Sequence, residues 1–336
     1  MIKIGVNGFG RIGRNVYRAA LEKGGFGKDF DIVAVNDIAP IDSLAYMLKW
    51  DTVYGKLNKD VEVEGSSIVV GGRKLEITQV KDPGEIPWKE LGVDVVVEST
   101  GLFTEKEKAA KHLAAGARKV LISAPGKGVD VTLVLGVNME MYDKAKHDVI
   151  SMASCTTGSL APPAKVLDDN FGIEKGMMTT VHAYTGDQRL VDMPHKDFRR
   201  GRSAAVSIIP TSTGAAKAIG EVIPALKGKM NGFALRVPTP FGSITDLSFI
   251  TKQETTPEEI NKALKAAAEG KMKGVLEYVA EPIVSADVIG NPHSAVIDSL
   301  STMVIGGKGN FAKVLSWYDN EWGYSNRVVE LSQKLL

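Results

Sequence analysis

The start of the chain carries the pattern that most restricts how it can fold. Lys3 to Asn7 is a short apolar run typical of a buried strand, and Gly8 to Gly13 then reads G-x-G-x-x-G. A helical pattern follows, whose apolar face carries Ile12, Val16, Ala19 and Ala20. In this order the first glycine permits a tight turn, the second lets a pyrophosphate approach backbone N–H groups, and the third lets helix and strand pack closely. An ordinary glycine-rich turn is the alternative, but the context favours a Rossmann-type, doubly wound parallel sheet.

The next predicted strand runs from Asp31 to Asn36 and ends on Asp37. An acidic side chain at that position suits the ribose hydroxyls of NAD and repels the 2′-phosphate of NADP. We therefore expect NAD as the cofactor, with NADP possible but weaker.

Further α/β elements continue the first half of the chain. Two buried strands, Val93 to Glu98 and Lys119 to Ser123, are separated by a predicted helix from Glu105 to Ala115. The strand ends of an open parallel sheet face the ligand crevice. Three residues after these strands are therefore candidate cofactor contacts: Thr100, Gly101 and Ser123.

Cys155 is the only cysteine in the 336-residue chain, so it cannot belong to a disulfide framework. It precedes an amphipathic segment containing Leu160, Ala164 and Leu167, whose helix would begin at or just after Cys155. Unpaired backbone N–H groups and the dipole at a helix start favour the thiolate, which is the nucleophilic form. The alternative is a small buried hydrophobe, the usual fate of a free cysteine.

His182 ends a β-like run that starts at Met177. A cysteine at a helix start and a histidine at the end of the following strand can meet at one edge of a sheet, where the imidazole can activate the thiol. A hydrogen-bonded core histidine is the alternative. The sequence offers Cys155 and His182 as candidate catalytic residues without showing that their side chains touch.

Composition excludes several classes of function. The 336 residues, 44% of them hydrophobic, suffice for two domains with proper cores, at roughly 150 residues per domain. The 41 basic residues balance 40 acidic ones, which argues against nucleic-acid or membrane-surface partners. Apolar runs such as Val93 to Val97 are too short to span a bilayer, and Met1 to Ile4 lacks a signal-peptide layout, so we expect a cytoplasmic protein. No metal site is predicted.

Six motifs are spread in order over nearly the whole chain. They are NGFGRIGR (Asn7 to Arg14), ASCTT (Ala153 to Thr157), HAYT (His182 to Thr185), PTSTGAAKA (Pro210 to Ala218), RVPTP (Arg236 to Pro240) and WYDNEWGYSNRV (Trp317 to Val328). Together they resemble the phosphorylating glyceraldehyde-3-phosphate dehydrogenase family. There is one departure: the family commonly reads Cys-Thr-Thr-Asn-Cys, whereas Gly158 and Ser159 stand here in place of the last two residues.

The resemblance implies two domains. An NAD-binding domain would cover residues 1–154 and be completed by a C-terminal helix at about 320–336, and an α+β catalytic domain with a mixed sheet would cover 155–319. It also implies oxidation of D-glyceraldehyde 3-phosphate to 1,3-bisphosphoglycerate with NAD and inorganic phosphate, a step of glycolysis and gluconeogenesis, in a homotetramer.

The resemblance assigns further site residues. Thr185 and Arg236 would hold the phosphate of the substrate. The attacking phosphate would be held by Ser154, Thr156, Thr213, Gly214 and Arg200. Arg200 belongs to a polar loop that in similar enzymes walls the cofactor site of an adjacent subunit, and Arg199 and Arg202 are alternatives for the same contact. The full set of expected cofactor contacts is Asn7, Gly8, Gly10, Arg11, Ile12, Gly13, Asp37, Thr100, Gly101, Ser123 and, beside the nicotinamide carboxamide, Asn320.

The expected mechanism is oxidation through a covalent intermediate. The Cys155 thiolate would add to the aldehyde to give a thiohemiacetal, His182 would take its hydroxyl proton as hydride leaves for the nicotinamide, and phosphate would attack the resulting thioester. Two alternatives remain open. An erythrose-4-phosphate dehydrogenase would share the thiol and histidine but work mainly by hydrolysis, and a non-enzymatic dinucleotide-binding module would tolerate loss of either residue.

Overall fold

The computed structural model describes all 336 residues, and their contacts divide the chain into two compact units. The first contains Met1–Leu133, Glu140–Ala153 and Ser325–Leu336, and the second contains Val134–Met139 and Ser154–Tyr324. The last helix begins in the second unit and ends in the first. None of the helices is both long enough and apolar enough to cross a membrane.

The first unit is built on a nine-stranded sheet. The nine strands are β1 (Ile2–Asn7), β2 (Phe30–Asn36), β5 (Val61–Glu64), β6 (Ser67–Val70), β7 (Arg73–Thr78), β8 (Val95–Glu98), β9 (Lys119–Ile122), β10 (Val131–Thr132) and β11 (Val149–Ser151). Two further strands, β3 (Trp50–Asp51) and β4 (Gly55–Lys56), form a small separate sheet. Its helices are α1 (Arg11–Glu22), α2 (Ile41–Lys49), α3 (Lys106–Ala109) and α4 (Lys111–Ala114).

The order of the large sheet is β10-β11-β9-β8-β1-β2-β7-β6-β5. All neighbours from β10 to β7 pair in parallel, and only the β7-β6-β5 edge is antiparallel. The chain starts in the middle of the sheet at β1 and winds outward on both sides, which is the doubly wound arrangement. The predicted Rossmann-type sheet is confirmed.

The helix predicted from Glu105 to Ala115 is interrupted. Ala110 separates α3 from α4 with φ −61° and ψ −15°, close to the values of a 3-10 turn. The segment therefore makes two single turns before Gly116, which takes φ +110°. Apolar periodicity predicted the buried face but could not show this break in the hydrogen-bond ladder.

The second unit is built on a seven-stranded mixed sheet in the order β13-β14-β12-β15-β18-β17-β16. Its strands are β12 (Ile173–Ala183), β13 (Ile209–Ser212), β14 (Met230–Val237), β15 (Ser243–Thr255), β16 (Leu276–Val279), β17 (Ala295–Val304) and β18 (Gly309–Tyr318). The remaining helices are α5 (Cys155–Phe171), α6 (Ala215–Val222), α7 (Pro257–Glu269) and α8 (Trp322–Ser332). The predicted mixed sheet is confirmed, since β12 pairs in parallel with β14 and antiparallel with β15.

Helices α5, α6 and α7 cover one face of this sheet. The core between them contains Leu160, Leu167, Ile219, Leu264, Met178 and Phe249. Helix α7 begins as its sequence predicts, because Thr256 and Glu259 form a reciprocal capping box with Pro257 in the first turn. The covered face fixes α5 against the sheet and so places the start of α5, where Cys155 lies.

Candidate functional site

Cys155 and His182 lie side by side in the second unit. Cys155 is the first residue of α5, and the Ser154 side chain caps that helix by accepting a hydrogen bond of 3.1 Å from the Thr157 N–H. His182 lies at the end of β12, and its Nε2 is 3.5 Å from Sγ of Cys155. The strand–helix arrangement therefore brings a thiol and an imidazole within hydrogen-bonding reach.

The backbone before Cys155 is unusual. Ala153 has φ 54°, and it is the only non-glycine residue of the chain with a positive φ. Residues that carry a side chain rarely adopt this backbone conformation. Strain of this kind lies directly before the cap of α5, where β11 ends and the chain turns into the helix that presents the thiol.

The environment of Cys155 and His182 shifts the pKa of both side chains. Burial raises the pKa of the Cys155 thiol, although the charge of Arg236 and hydrogen bonds to Thr156 act in the opposite direction. The N–H groups at the start of α5 favour the thiolate, as expected, but desolvation outweighs them and the net shift of the Cys155 pKa is upward. Burial and the charge of Arg236 lower the pKa of His182 from 6.5 to about 3. At neutral pH the pair is a thiol beside a neutral imidazole.

The second nitrogen of His182 has two polar neighbours. A guanidinium nitrogen of Arg236, on β14, lies 2.8 Å from Nδ1. The Ala183 carbonyl oxygen lies 2.7 Å from the same Nδ1, and it accepts a 3.1 Å hydrogen bond from Arg236. Arg236 therefore contacts the candidate base directly, a contact that sequence spacing did not indicate.

Tyr318, at the end of β18, contacts both His182 and the first turn of α5. Its hydroxyl is 2.9 Å from the hydroxyls of both Thr156 and Thr180. Its ring meets the ring of His182 edge-on, with centroids 5.9 Å apart. Burial raises the pKa of Tyr318, so the hydroxyl keeps its proton and can donate. Sequence reasoning missed Tyr318 because nothing in the spacing of β18 shows which side chain faces α5.

The residues expected to hold phosphate fall into separate groups. Arg200 donates to Asp187 at 2.7 Å, to the Thr211 hydroxyl at 2.8 Å and to the Ser212 carbonyl at 3.3 Å. The Thr185 hydroxyl also donates to Asp187. Asp187 thus links Thr185 to Arg200, and sequence reasoning gave it no role.

The two alternative arginines lie differently from Arg200. Arg202 is exposed and pairs with Asp192 at 2.8 Å, and the side chain of Arg199 is exposed to solvent. Of the three arginines, Arg200 is the one that donates hydrogen bonds to the strand that leads into α6. Thr213 accepts a 3.2 Å hydrogen bond from the Ala215 N–H, and Gly214 is the N-cap residue of α6.

The departure from the family motif is accommodated inside the second unit. Ser159 is fully buried, and its hydroxyl is 3.0 Å from the Ser316 hydroxyl. A Cβ atom added at Gly158 would meet only the Ser294 Cβ, at 3.9 Å. Ser159 therefore fixes α5 to β18 by a hydrogen bond, whereas Gly158 leaves space.

A cavity of about 440 Å³ opens in the first unit at the ends of β1, β2 and β8. Among its lining residues are five of the expected cofactor contacts, Asn7, Gly8, Gly10, Asp37 and Thr100. Residues that sequence reasoning did not assign to the site also line it, and they are Asn36, Val80, Lys81, Ser99, Leu102 and Phe103. The sequence did not indicate these residues, because most of them lie in loops that contain no recognisable motif.

The three glycines of the turn serve different ends. Gly8 takes φ +91°, a conformation that favours glycine. A Cβ on Gly13 would lie 2.2 Å from the Gly8 carbonyl oxygen, so this glycine permits α1 to pack on the turn. A Cβ on Gly10 would meet nothing within 4 Å, which leaves that side of the turn open to a ligand. This geometry fits a dinucleotide pyrophosphate.

The other expected cofactor contacts lie outside the cavity lining. Arg11 pairs with Asp51, the Ser123 hydroxyl donates to the Glu98 carbonyl at 3.1 Å, and Asn320 accepts a 3.0 Å hydrogen bond from Ser243 in the second unit. Ile12 and Gly101 do not line the cavity either.

A glycine-rich turn on a doubly wound sheet is typical of a dinucleotide-dependent oxidoreductase, and a thiol beside an imidazole is the arrangement expected of a cysteine nucleophile. Two family models agree: the one described as "Glyceraldehyde 3-phosphate dehydrogenase, NAD binding domain" matches residues 2–106. The one described as "Glyceraldehyde 3-phosphate dehydrogenase, C-terminal domain" matches residues 154–320. The chain belongs to the glyceraldehyde-3-phosphate dehydrogenase family, and its first unit carries the family's NAD-binding domain.

Individual relatives are similar over almost the whole length. A glyceraldehyde-3-phosphate dehydrogenase of Priestia megaterium is 58% identical over 332 residues, which are 99% of this chain and 97% of that protein. Glyceraldehyde-3-phosphate dehydrogenase 1 of Bacillus subtilis is 58% identical over 98% of this chain and 97% of its own. The enzyme of Geobacillus stearothermophilus shows the same identity and coverage.

Proposed function

We propose that this protein oxidises D-glyceraldehyde 3-phosphate to 1,3-bisphosphoglycerate with NAD and inorganic phosphate, as a step of glycolysis and gluconeogenesis. The observation that carries the proposal is the 3.5 Å separation between Sγ of the only cysteine and Nε2 of His182. Relatives that are 58% identical are glyceraldehyde-3-phosphate dehydrogenases, which supports the choice of substrate.

In the proposed mechanism Cys155 is the nucleophile and His182 the base. The thiol gives its proton to Nε2, the sulfur adds to the aldehyde carbon, and Nε2 returns that proton to the former carbonyl oxygen to complete a thiohemiacetal. His182 then accepts the proton of the thiohemiacetal hydroxyl, and a thioester remains on Cys155. NAD, when bound, supplies the acceptor for the hydride. Phosphate attacks the thioester carbon and Cys155 leaves as thiolate, so the product is an acyl phosphate.

Two phosphate groups need donors in this reaction. We assign the substrate phosphate to Arg236 and Thr185, because arginine binds phosphate with a forked geometry. The attacking phosphate is assigned to Ser154, Thr156, Thr213, Gly214 and Arg200. The position of Arg200 beside the strand leading into α6 supports this assignment, since N–H groups at a helix start also favour anions.

The preference for NAD over NADP is also part of the proposal. Asp37 accepts hydrogen bonds from the Phe9 N–H at 2.7 Å and the Ala39 N–H at 2.9 Å, which fixes its carboxylate at the cavity. A fixed negative charge repels the 2′-phosphate. Ile38, which lines the same cavity, and Pro194 offer no hydroxyl to bind that phosphate. Lys81 lines the cavity too and can offset part of the repulsion, so weak use of NADP is expected.

We further propose a cytoplasmic homotetramer with an NAD-binding domain (residues 1–154 with the helix at about 320–336) and a catalytic domain (155–319). The uncovered face of the second sheet supports assembly, since it exposes Met177, Phe233, Met303 and Phe311. The loop after β12 also exposes apolar side chains, including Leu190, Val191, Phe198 and Val206. Clusters of exposed apolar side chains such as these are typical of a protein–protein interface.

The deciding experiment measures NAD reduction with glyceraldehyde 3-phosphate, with inorganic phosphate present and absent. Rapid turnover that requires phosphate is expected, because the acyl group must leave as an acyl phosphate. The same assay with erythrose 4-phosphate is the comparison. Faster turnover of erythrose 4-phosphate without phosphate would contradict the proposal.

A further inference from the structure

Two polar groups lie beside Nδ1 of His182, and their direct hydrogen bonds to it require opposite protonation states of that nitrogen. The Arg236 guanidinium, 2.8 Å away, donates only to an Nδ1 that carries no proton. The Ala183 carbonyl oxygen, 2.7 Å away, accepts only from an Nδ1 that carries one. Arg236 also satisfies that oxygen at 3.1 Å. The ring therefore has two competing hydrogen-bond arrangements, and the position of Arg236 decides between them.

Each arrangement places the ring proton at a different distance from the thiol. When Arg236 donates to Nδ1, the proton of the neutral ring is on Nε2, which faces Sγ of Cys155 at 3.5 Å. A protonated Nε2 cannot accept the thiol proton. When Arg236 withdraws, Nδ1–H donates to the Ala183 oxygen and Nε2 presents its lone pair to the thiol. The ring stays neutral, because it gains one proton from solvent at Nδ1 and loses one to solvent at Nε2.

We propose that Arg236 couples binding of the substrate's phosphate ester to activation of His182: it holds the ring in the inactive tautomer until the phosphate engages the guanidinium. This inference rests on the proposed role of Arg236 as a phosphate donor. Neither hydrogen-bond acceptor of Arg236 is a carboxylate, so a dianionic phosphate competes for the guanidinium against two uncharged atoms. Such a charge-assisted contact is the stronger one.

The remaining groups around His182 are compatible with the switch. Asp187 is the negative group that raises the pKa of His182, and it is itself paired with Arg200 at 2.7 Å. The ring of Tyr318 packs edge-on against the imidazole and its hydroxyl is bonded to Thr156 and Thr180. Cys155 faces Nε2. Arg236 is thus the only charged group whose hydrogen bond depends on the tautomer of the ring.

The test reads the tautomer directly in the full-length enzyme with ¹⁵N-labelled histidines. His182→Asn identifies the His182 signals among those of the five histidines. The ligand is glycerol 3-phosphate, which carries a phosphate ester but no aldehyde, and glycerol is the control. We expect the Nε2–H form without ligand, the Nδ1–H form at saturation with glycerol 3-phosphate, and no change with glycerol.

Arg236→Leu should show the Nδ1–H form without any ligand. Arg236→Gln is the second variant if leucine prevents folding, with the same expectation. Arg202→Leu removes an exposed guanidinium that pairs with Asp192 and does not contact His182, so it should keep the wild-type tautomer.

Two results would overturn the inference: an Arg236 variant with the wild-type tautomer, or a wild-type ring that glycerol 3-phosphate leaves unchanged although calorimetry shows saturation. Failure of the proposed function looks different. In that case glycerol 3-phosphate does not bind and glyceraldehyde 3-phosphate is not oxidised, while the comparison of Arg236→Leu with the wild type still decides whether Arg236 sets the tautomer.

Discussion

In the proposed mechanism no other residue can replace the Cys155 thiol, because no other thiol exists in the chain. Cys155→Ser should reduce dehydrogenase activity by several orders of magnitude, since a hydroxyl is a far weaker nucleophile than a thiolate. NAD binding, measured by calorimetry, should be retained because the cavity of the first unit does not include Cys155. Substantial activity in this variant would contradict a covalent mechanism.

His182 should make the folded protein sensitive to acid. Its pKa is lowered from 6.5 to about 3 by burial and Arg236. As the pH falls below 6.5, the unfolded chain binds a proton that the folded chain excludes, so the stability present above that pH is progressively lost down to about pH 3. The loss from this group is at most roughly 1.4 kcal/mol per pH unit.

Urea unfolding at neutral and mildly acidic pH measures this effect. His182→Gln should lose less stability than the wild type over the same interval, because glutamine does not titrate. Identical acid dependence of the two proteins would show that the imidazole is not held neutral by its surroundings.

At the level of elements, two glycines of the turn between β1 and α1 have different roles: Gly13 permits close packing and Gly10 leaves space for a ligand. Gly13→Ala should destabilise the protein by roughly 1–3 kcal/mol, because the new Cβ would lie 2.2 Å from the Gly8 carbonyl oxygen. Gly10→Ala is the matched variant: its Cβ would meet nothing within 4 Å, so stability should hold while NAD affinity falls. Thermal unfolding and NAD titration measure the two effects, and equal stability of both variants would be inconsistent with this division.

The proposed preference for NAD depends on Asp37, which follows β2. Asp37→Ser should move the ratio of kcat/KM for NAD and NADP toward NADP, because the fixed carboxylate no longer repels the 2′-phosphate. The wild type should favour NAD. Lys81→Ala, at the same cavity, should move the ratio the other way. A wild type that prefers NADP would show that Asp37 does not select the cofactor.

Local signals explain which elements could be predicted from the sequence. The glycine-rich turn and the start of α5 depend on neighbouring residues, and both predictions are confirmed. The contacts of Arg236 with His182 and of Tyr318 with Thr156 join residues far apart in the chain. Their formation depends on sheet register and burial, which also determine the pKa of Cys155.

At the scale of the whole molecule, assembly should depend on the uncovered sheet face. Light scattering should give a mass about four times the 36.0 kDa of one chain. The double variant Met177→Glu, Phe311→Glu should give a smaller assembly, because it places charges on that apolar face. Val63→Glu, which changes an exposed apolar residue on β5 in the other sheet, should keep the wild-type mass. A monomeric wild type would contradict the assembly proposal.

Ser159, whose hydroxyl is hydrogen-bonded to Ser316, stands at the position where related chains commonly carry a second cysteine. Peroxide converts an activated thiol to a sulfenic acid, which a neighbouring thiol can trap as a disulfide before further oxidation becomes irreversible. In this chain the position one turn after Cys155 holds a hydroxyl, and no other thiol exists. An oxidised Cys155 would therefore depend on a reductant from outside its own chain.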